Sequence, residues 1–269
     1  MENAERWTVD LMDGETGTKE KPQAEHTAQR IPDFGGEILE EVTELSQRQE
    51  TVSPRVSVEI HDAGCGAVAE FMDAASQGDL QAVEKYLSEG GDPDVHDELK
   101  RTALHRCSLQ GHAAVIHALL ERGADIDFRD QLGSRAVHWA CRGGSLGSVK
   151  ALSSRGADLD VRDKLRSTPL HVATRTGHAA IVEFLLSCGA TINSRDREGD
   201  TALHDAVRLN RYRIVKLLVC AGADTEIKNH EGLTAVQQVK QWQFDVMETL
   251  QRLDKLRELD LLENPPRGE

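Results

Sequence analysis

Apolar residues in the second half of this chain come in pairs one helical turn apart. Ile181-Val182 is followed by Leu185-Leu186, and Ile214-Val215 by Leu218-Val219. That spacing predicts short helices with a single buried stripe. Ahead of each lies a second pattern, seen most fully in Thr168-Pro169-Leu170-His171. Thr suits a helix N-cap and Pro169 suits the first helical position, so another helix is predicted to start there. Gly111, Gly144 and Gly177 fall where that first helix must stop, with Asn210 in the same slot of a fourth copy, because a left-handed residue is cheap for glycine. The unit is therefore helix, turn, helix, closed by Gly-Ala-Asp and a hairpin finger.

The unit repeats. Thr102-Ala103-Leu104-His105 returns as Arg135-Ala136-Val137-His138, Thr168-Pro169-Leu170-His171, Thr201-Ala202-Leu203-His204 and Thr234-Ala235-Val236-Gln237, each 33 residues after the last. Gly90-Gly91-Asp92, Gly123-Ala124-Asp125, Gly156-Ala157-Asp158, Gly189-Ala190-Thr191 and Gly222-Ala223-Asp224 keep the same step. A period of this length carrying Thr-Pro-Leu-His resembles the ankyrin repeat. The expected fold class is all-α: an ankyrin-repeat solenoid of helix-turn-helix units with hairpin fingers, behind a disordered acidic N-terminal extension.

Boundaries follow from where the pattern fades. Residues 1–66 lack periodicity and are expected to be mostly disordered, apart from a short amphipathic helix around Ile38-Leu39, Val42 and Leu45. Residues 67–262 form the repeat domain, with an N-terminal cap over 67–97 and full repeats from about 98. A capping helix is expected over about 235–262, with Trp242, Val246, Leu250, Leu253, Leu256 and Leu259 on one face, before a disordered tail at 263–269. One repeat reads as weak. Ser148 stands where others carry Val115, Ile181 and Ile214, Ser153 replaces Leu120, Leu186 and Val219, and Gly147 lowers helix propensity further.

Composition narrows the function classes. The formal net charge is -14, of which residues 1–66 carry -9. An acidic chain is a poor nonspecific nucleic-acid binder, so no direct contact with nucleic acid is expected. No apolar run approaches the roughly 20 residues of a membrane span, and the start of the chain lacks the basic-then-apolar order of a secretory signal. Five well-separated cysteines argue against a disulfide framework or a zinc cluster and for a reducing, intracellular setting.

Candidate chemistry is sparse. His105, His138, His171 and His204 form a column, but one imidazole per repeat cannot converge on a metal ion; a hydrogen bond between neighbouring repeats is the expected role. Cys107 and Cys141 occupy small buried positions, while Cys188 and Cys220 sit near helix ends. No nucleophile arrangement or phosphate loop is legible, so neither catalysis nor a cofactor or metal is expected. Two basic ladders are more informative. The residue before each finger Asp gives His96, Arg129, Arg162, Arg195 and Lys228; the exposed position late in each first helix gives Leu109, Arg142, Arg175 and Arg208. Arginine forks grip carboxylates in pairs, so these residues mark a partner-binding groove. Pairing with the adjacent Asp97, Asp130, Asp163 and Asp196 is the competing role. Phe128, Leu132, Leu165 and Trp139 are candidate apolar anchors, Trp139 equally a half-buried packing residue.

Longer motifs carry a closer likeness. Lys100-Arg101-Thr102-Ala103-Leu104-His105-Arg106, His138-Trp139-Ala140-Cys141-Arg142-Gly143-Gly144 and the run from Glu198 to Tyr212 resemble the muscle ankyrin-repeat protein family over roughly residues 69–250. The likeness extends to Lys100 and Arg166, which hold finger positions where ankyrin repeats usually prefer glycine. It implies a non-enzymatic scaffold of striated muscle that binds the elastic region of titin and other sarcomeric proteins in the I-band, with a second role in the nucleus as a transcriptional cofactor. After Arg30-Ile31-Pro32-Asp33-Phe34-Gly35-Gly36-Glu37-Ile38-Leu39, the family's dense basic tract is replaced by Glu40-Glu41-Val42-Thr43-Glu44. That favours the cytoplasmic I-band role over the alternative, a nuclear partner of transcription factors. Ser46, Thr51 and Ser53 are candidate phosphorylation sites.

Overall fold

The computed structural model describes residues 65–239, Gln243, Val246–Glu248 and Leu250. The short helix expected near Leu39, the candidate phosphorylation sites and the tail lie outside the described residues. Helices α1 (Cys65–Gln77) and α2 (Leu80–Ser88) form the first pair, followed by α3 (Ala103–Gln110) and α4 (Ala113–Glu121), and α5 (Ala136–Gly143) and α6 (Leu146–Ser154). Then come α7 (Pro169–Thr176) with α8 (Ala179–Ser187) and α9 (Ala202–Arg208) with α10 (Tyr212–Cys220). Odd-numbered helices pack on one another in one row and even-numbered helices in a second. The core is the seam between the rows.

Small side chains set the spacing of the inner row. Ala103, Cys107, Ala140, Ala173, Ala202 and Ala206 are fully buried, so backbones approach closely. At Gly143 the approach is closest: a Cβ there would lie 1.8 Å from the Leu109 carbonyl oxygen. Burial pushes the Cys107 and Cys141 thiols well above their ordinary range, which keeps them protonated packing groups. The predicted helix stops are present, with Gly111, Gly144 and Gly177 left-handed and Asn210 sharing that conformation at φ 55°.

The histidine column ties each unit to the next. The Thr102 backbone N–H and hydroxyl both point at His105 Nδ1, at 3.2 and 2.9 Å. Nδ1 therefore accepts and Nε2 carries the proton, which it donates to the Ser134 carbonyl at 3.2 Å. His138 reaches Ser167, His171 reaches Asp200 and His204 reaches Leu233 in the same way, each across 29 residues. In the fifth copy the Thr234 N–H donates to Gln237 Oε1 at 2.9 Å, so the amide supplies the local half of the histidine's bonding.

Fingers repeat as faithfully. Asp97, Asp130, Asp163, Asp196 and Asn229 each donate their N–H to the carbonyl four residues on, at 2.9–3.1 Å. Successive fingers are stitched by Gln131 N–H to Leu99 O, Lys164 to Leu132, Arg197 to Leu165 and His230 to Glu198. Lys100 and Arg166 adopt φ 56° and 60°, the left-handed geometry that Gly133, Gly199 and Gly232 hold at the equivalent place.

The C-terminal cap differs from the expected single helix. Val236–Gln238 makes one 3₁₀ turn, Val239 leaves it in an extended conformation and Gln243 is not helical, while Val246–Glu248 is. Val246 and Leu250 are buried, as their periodicity predicts, and Gln243 donates to the Val207 carbonyl. Leu253, Leu256 and Leu259 lie outside the described residues.

In the weak repeat, Ser148 is fully buried where its counterparts are apolar. Ser145 caps α6 by accepting from the Ser148 N–H at 3.2 Å and lies 3.1 Å from its hydroxyl. A cap of about 1 kcal/mol offsets only part of a lost side chain worth about 2–5 kcal/mol. Residues 145–155 are expected to exchange amide hydrogens fastest among the repeat helices; uniform protection by native-state exchange would refute this.

Acid should loosen the stack through its histidines. Burial lowers His105, His171 and His138 from the ordinary 6.5, His138 to about 4. The unfolded chain then binds protons that the folded chain refuses, so this contribution is intact above pH 6.5 and is lost as pH falls towards 4. The slope is at most about 1.4 kcal/mol per pH unit for each histidine. His138→Gln, which imitates Gln237, is expected to flatten the stability profile in that window, as measured by urea unfolding at a series of pH values.

Candidate functional site

The two basic ladders differ in what holds them. Arg129, Arg162, Arg195 and Lys228, like His96 at the head of the row, are solvent-exposed on the fingers. Arg195 is partly engaged, donating to Gly199 O at 3.1 Å and to Lys228 O at 2.5 Å. Arg162 bridges to the Arg195 carbonyl at 3.3 Å. Among the described residues none of these cations meets a carboxylate at ion-pair distance.

The finger aspartates explain why. One oxygen of each closes its own finger: Asp130 Oδ1 accepts from Leu132 and Ser134, Asp163 Oδ1 from Leu165 and Ser167, Asp196 Oδ1 from Glu198 and Asp200. The second oxygen faces the helix ends rather than the first ladder. Asp97 takes Arg106 and Arg101, Asp130 takes the Trp139 indole N–H at 2.9 Å, and Asp196 takes Arg175 at 2.5 Å.

The second ladder is unevenly committed. Arg175 is held by Asp205 at 2.7 Å, by Asp196, and by the Ser167 hydroxyl at 2.8 Å. Burial acts to depress its pKa, yet the net shift is upward because Asp205 and Asp196 favour the cation. Arg208 pairs with the other oxygen of Asp205, which is fully buried. Arg142 has Val172 where Arg175 has Asp205, 33 residues on. It lies instead over the Trp139 ring, 5.1 Å from the centroid, a cation–π arrangement. Burial lowers its pKa, with Asp130 and Asp163 opposing. Leu109 is half-buried at the head of this row.

The apolar candidates also separate. Trp139 is half-buried, its ring edge-to-face with that of His105 at a centroid separation of 6.1 Å. Phe128 is half-buried against His96 and His105. Leu132 and Leu165 are 54% and 52% exposed at finger tips, and Leu99 joins their column at 36%. That column turns acidic at Glu198 and Glu231. The sequence reading passed over Leu99 and Lys164, although reading the finger tips in steps of 33 places them. Lys100, Arg129, Arg162 and Lys164 line one open cleft of about 320 Å³ with Asp130, Gln131, Gly133 and Asp163.

A family model described as ankyrin repeats in three copies matches residues 71–163 and again 155–229. The chain belongs to the ankyrin-repeat family. Ankyrin repeats are generally non-enzymatic interaction domains, and a role in protein-protein interaction is consistent with this match. Over 39 residues the stack is 56% identical to Ankyrin repeat domain-containing protein 1 of Xenopus laevis and of Homo sapiens. It is 54% identical over 36 residues to Ankyrin repeat domain-containing protein 2 of Mus musculus. The aligned segment spans 14% of this chain and 12% of the first of these relatives.

Removing Arg175 leaves Asp196 without its partner and Asp205 with only one, both in buried settings. Arg175→Ala is expected to cost about 3 kcal/mol, whereas Arg129→Ala at an exposed site should stay within about 0.5 kcal/mol. Chemical denaturation of the two variants checks the contrast; equal losses would contradict it.

Proposed function

We propose that this chain is a non-enzymatic scaffold of striated muscle. Its ankyrin groove docks sarcomeric proteins at the I-band, a segment of the elastic region of titin foremost, and takes part in stretch and stress signalling. The reading rests on the likeness of Lys100–Arg106, His138–Gly144 and Glu198–Tyr212 to the muscle ankyrin-repeat family, and on the local identity to the two relatives above. The observation that carries the location of the site is the exposed ladder Arg129, Arg162, Arg195 and Lys228, which among the described residues meets no carboxylate, on an otherwise acidic protein.

Exposed cations on a preformed face steer an acidic partner and fix its register, and Arg forks supply charge-assisted hydrogen bonds on contact. Leu132 and Leu165 add apolar anchors beside them. Arg175 and Arg208 belong to the stack's own ion-pair network, so charge reversal there would unfold the site rather than test it.

The test is capture of a recombinant elastic segment of titin by the full chain. Arg129→Glu with Arg162→Glu is expected to weaken capture at least tenfold while the unfolding midpoint is retained. Undiminished capture by the folded double variant would remove the ladder from the docking site, and absence of capture by the native chain would remove titin.

A further inference from the structure

We propose that the cleft between the first three fingers binds a phosphorylated side chain of a partner peptide. The proposal rests on the reading of the fingers as the docking face and names the chemistry that part of it takes.

The charge of the cleft is its first argument. Lys100, Arg129, Arg162 and Lys164 line it with only Asp130 and Asp163 opposite, a surplus of two positive charges. Both aspartates are already engaged by the backbone N–H groups of their own fingers, and Asp130 also by Trp139. Among the described residues none of the four cations is in an ion pair. One carboxylate leaves such a site half neutralised. A phosphoryl group, with a charge near -2 and three acceptor oxygens, matches both the surplus and the donor count.

Backbone geometry is the second argument. Lys100 holds φ 56° in a finger position where Gly133, Gly199 and Gly232 serve the other fingers. A left-handed non-glycine residue is strained, and the gain from its side chain does not lie in the described fold, since Lys100 is exposed and makes no ion pair among the described residues. Arg166 repeats the strain at φ 60° two residues from Lys164. Of these two strained cations, Lys100 lines the cleft. Gly133 keeps its floor low: a Cβ there would meet Lys164 Cγ and its backbone N at 3.2 Å.

The surroundings specify a peptide. Leu99, Leu132 and Leu165 stand exposed at the tips of the same three fingers, and the basic, leucine-edged surface ends where Glu198 and Glu231 take over the column. A phosphorylated residue flanked by apolar neighbours fits this surface, whereas a uniform polyanion would meet the leucines and then the glutamates.

The experiment passes an oriented peptide library with a fixed central phosphoserine over the full chain, beside matched libraries fixed as serine and as glutamate. Preferential retention of phosphoserine by at least tenfold over glutamate, displaced by inorganic phosphate, is the expected result. Lys164→Ala and Arg129→Ala should each weaken retention roughly tenfold, the loss of one charge-assisted contact. Lys100→Gly is the sharper variant, because it should raise the thermal midpoint by relieving strain while weakening retention. Equal retention of glutamate and phosphoserine, equal binding of a short single-stranded oligonucleotide, or unchanged retention by all three variants would overturn the proposal. Unphosphorylated titin segment is assayed on the same variants. Lost titin capture with intact phosphopeptide retention in the native chain refutes the titin reading alone, and the converse refutes this one alone.

Discussion

Each repeat buries its apolar stripe only against its neighbours, so the stack depends on what joins one unit to the next. The histidine at the start of α3, α5, α7 and α9 makes that joint. Its Nδ1 accepts from the residue that opens its own helix, and its Nε2 donates to a carbonyl 29 residues on. A single neutral side chain thus closes a helix end and fixes the following finger. Because the finger loops are stitched to one another by backbone hydrogen bonds, that local joint propagates along the whole row. In such a one-dimensional architecture stability is a sum over units and interfaces, and a poor unit weakens its surroundings without abolishing the fold.

The exposed basic ladder of the fingers is a by-product of the same regularity. Four of the five fingers place an Arg or Lys just before the residue that closes them, Asp130, Asp163, Asp196 or Asn229. One column that differs between units sets the commitment of the second ladder: Arg106, Trp139, Val172 and Asp205 succeed one another at 33-residue intervals. Arg106 and Trp139 turn inward to the finger aspartates, Val172 contributes no charge, and Asp205 captures two arginines. The result is polarity along the row, with an ionic network of Arg175, Asp205 and Arg208 at α9 and, near the first three fingers, Lys100, Arg129 and Arg162 meeting no carboxylate among the described residues.

Much of this was legible in the residues. The helix pairs, their stops, the interior cysteines and the inter-repeat role of the histidines follow from a period of 33 and from what each residue type does at a helix end. Asn210 in a glycine slot is another such reading. Less was legible at the cap: apolar positions from Trp242 onward suggest a helix starting near residue 235, yet Val239 is extended and Gln243 non-helical, with helix described at Val246–Glu248. Periodicity records which face is buried and is silent about a break between two stretches that share it.

The sequence by itself determined the architecture and the columns, because a strict repeat forces equivalent residues into equivalent places. Only the tertiary structure decided which cations are spent. Arg175 and Arg142 are indistinguishable in the ladder, but one faces Asp205 and the other Val172, a difference about 30 residues away in sequence and in contact only after folding. Likewise Lys100 and Lys164, 64 positions apart, share a cleft because three fingers stack side by side. Whether a charge is free is a property of its neighbours in space, and a repeat pattern fixes the positions of those neighbours without fixing their identity.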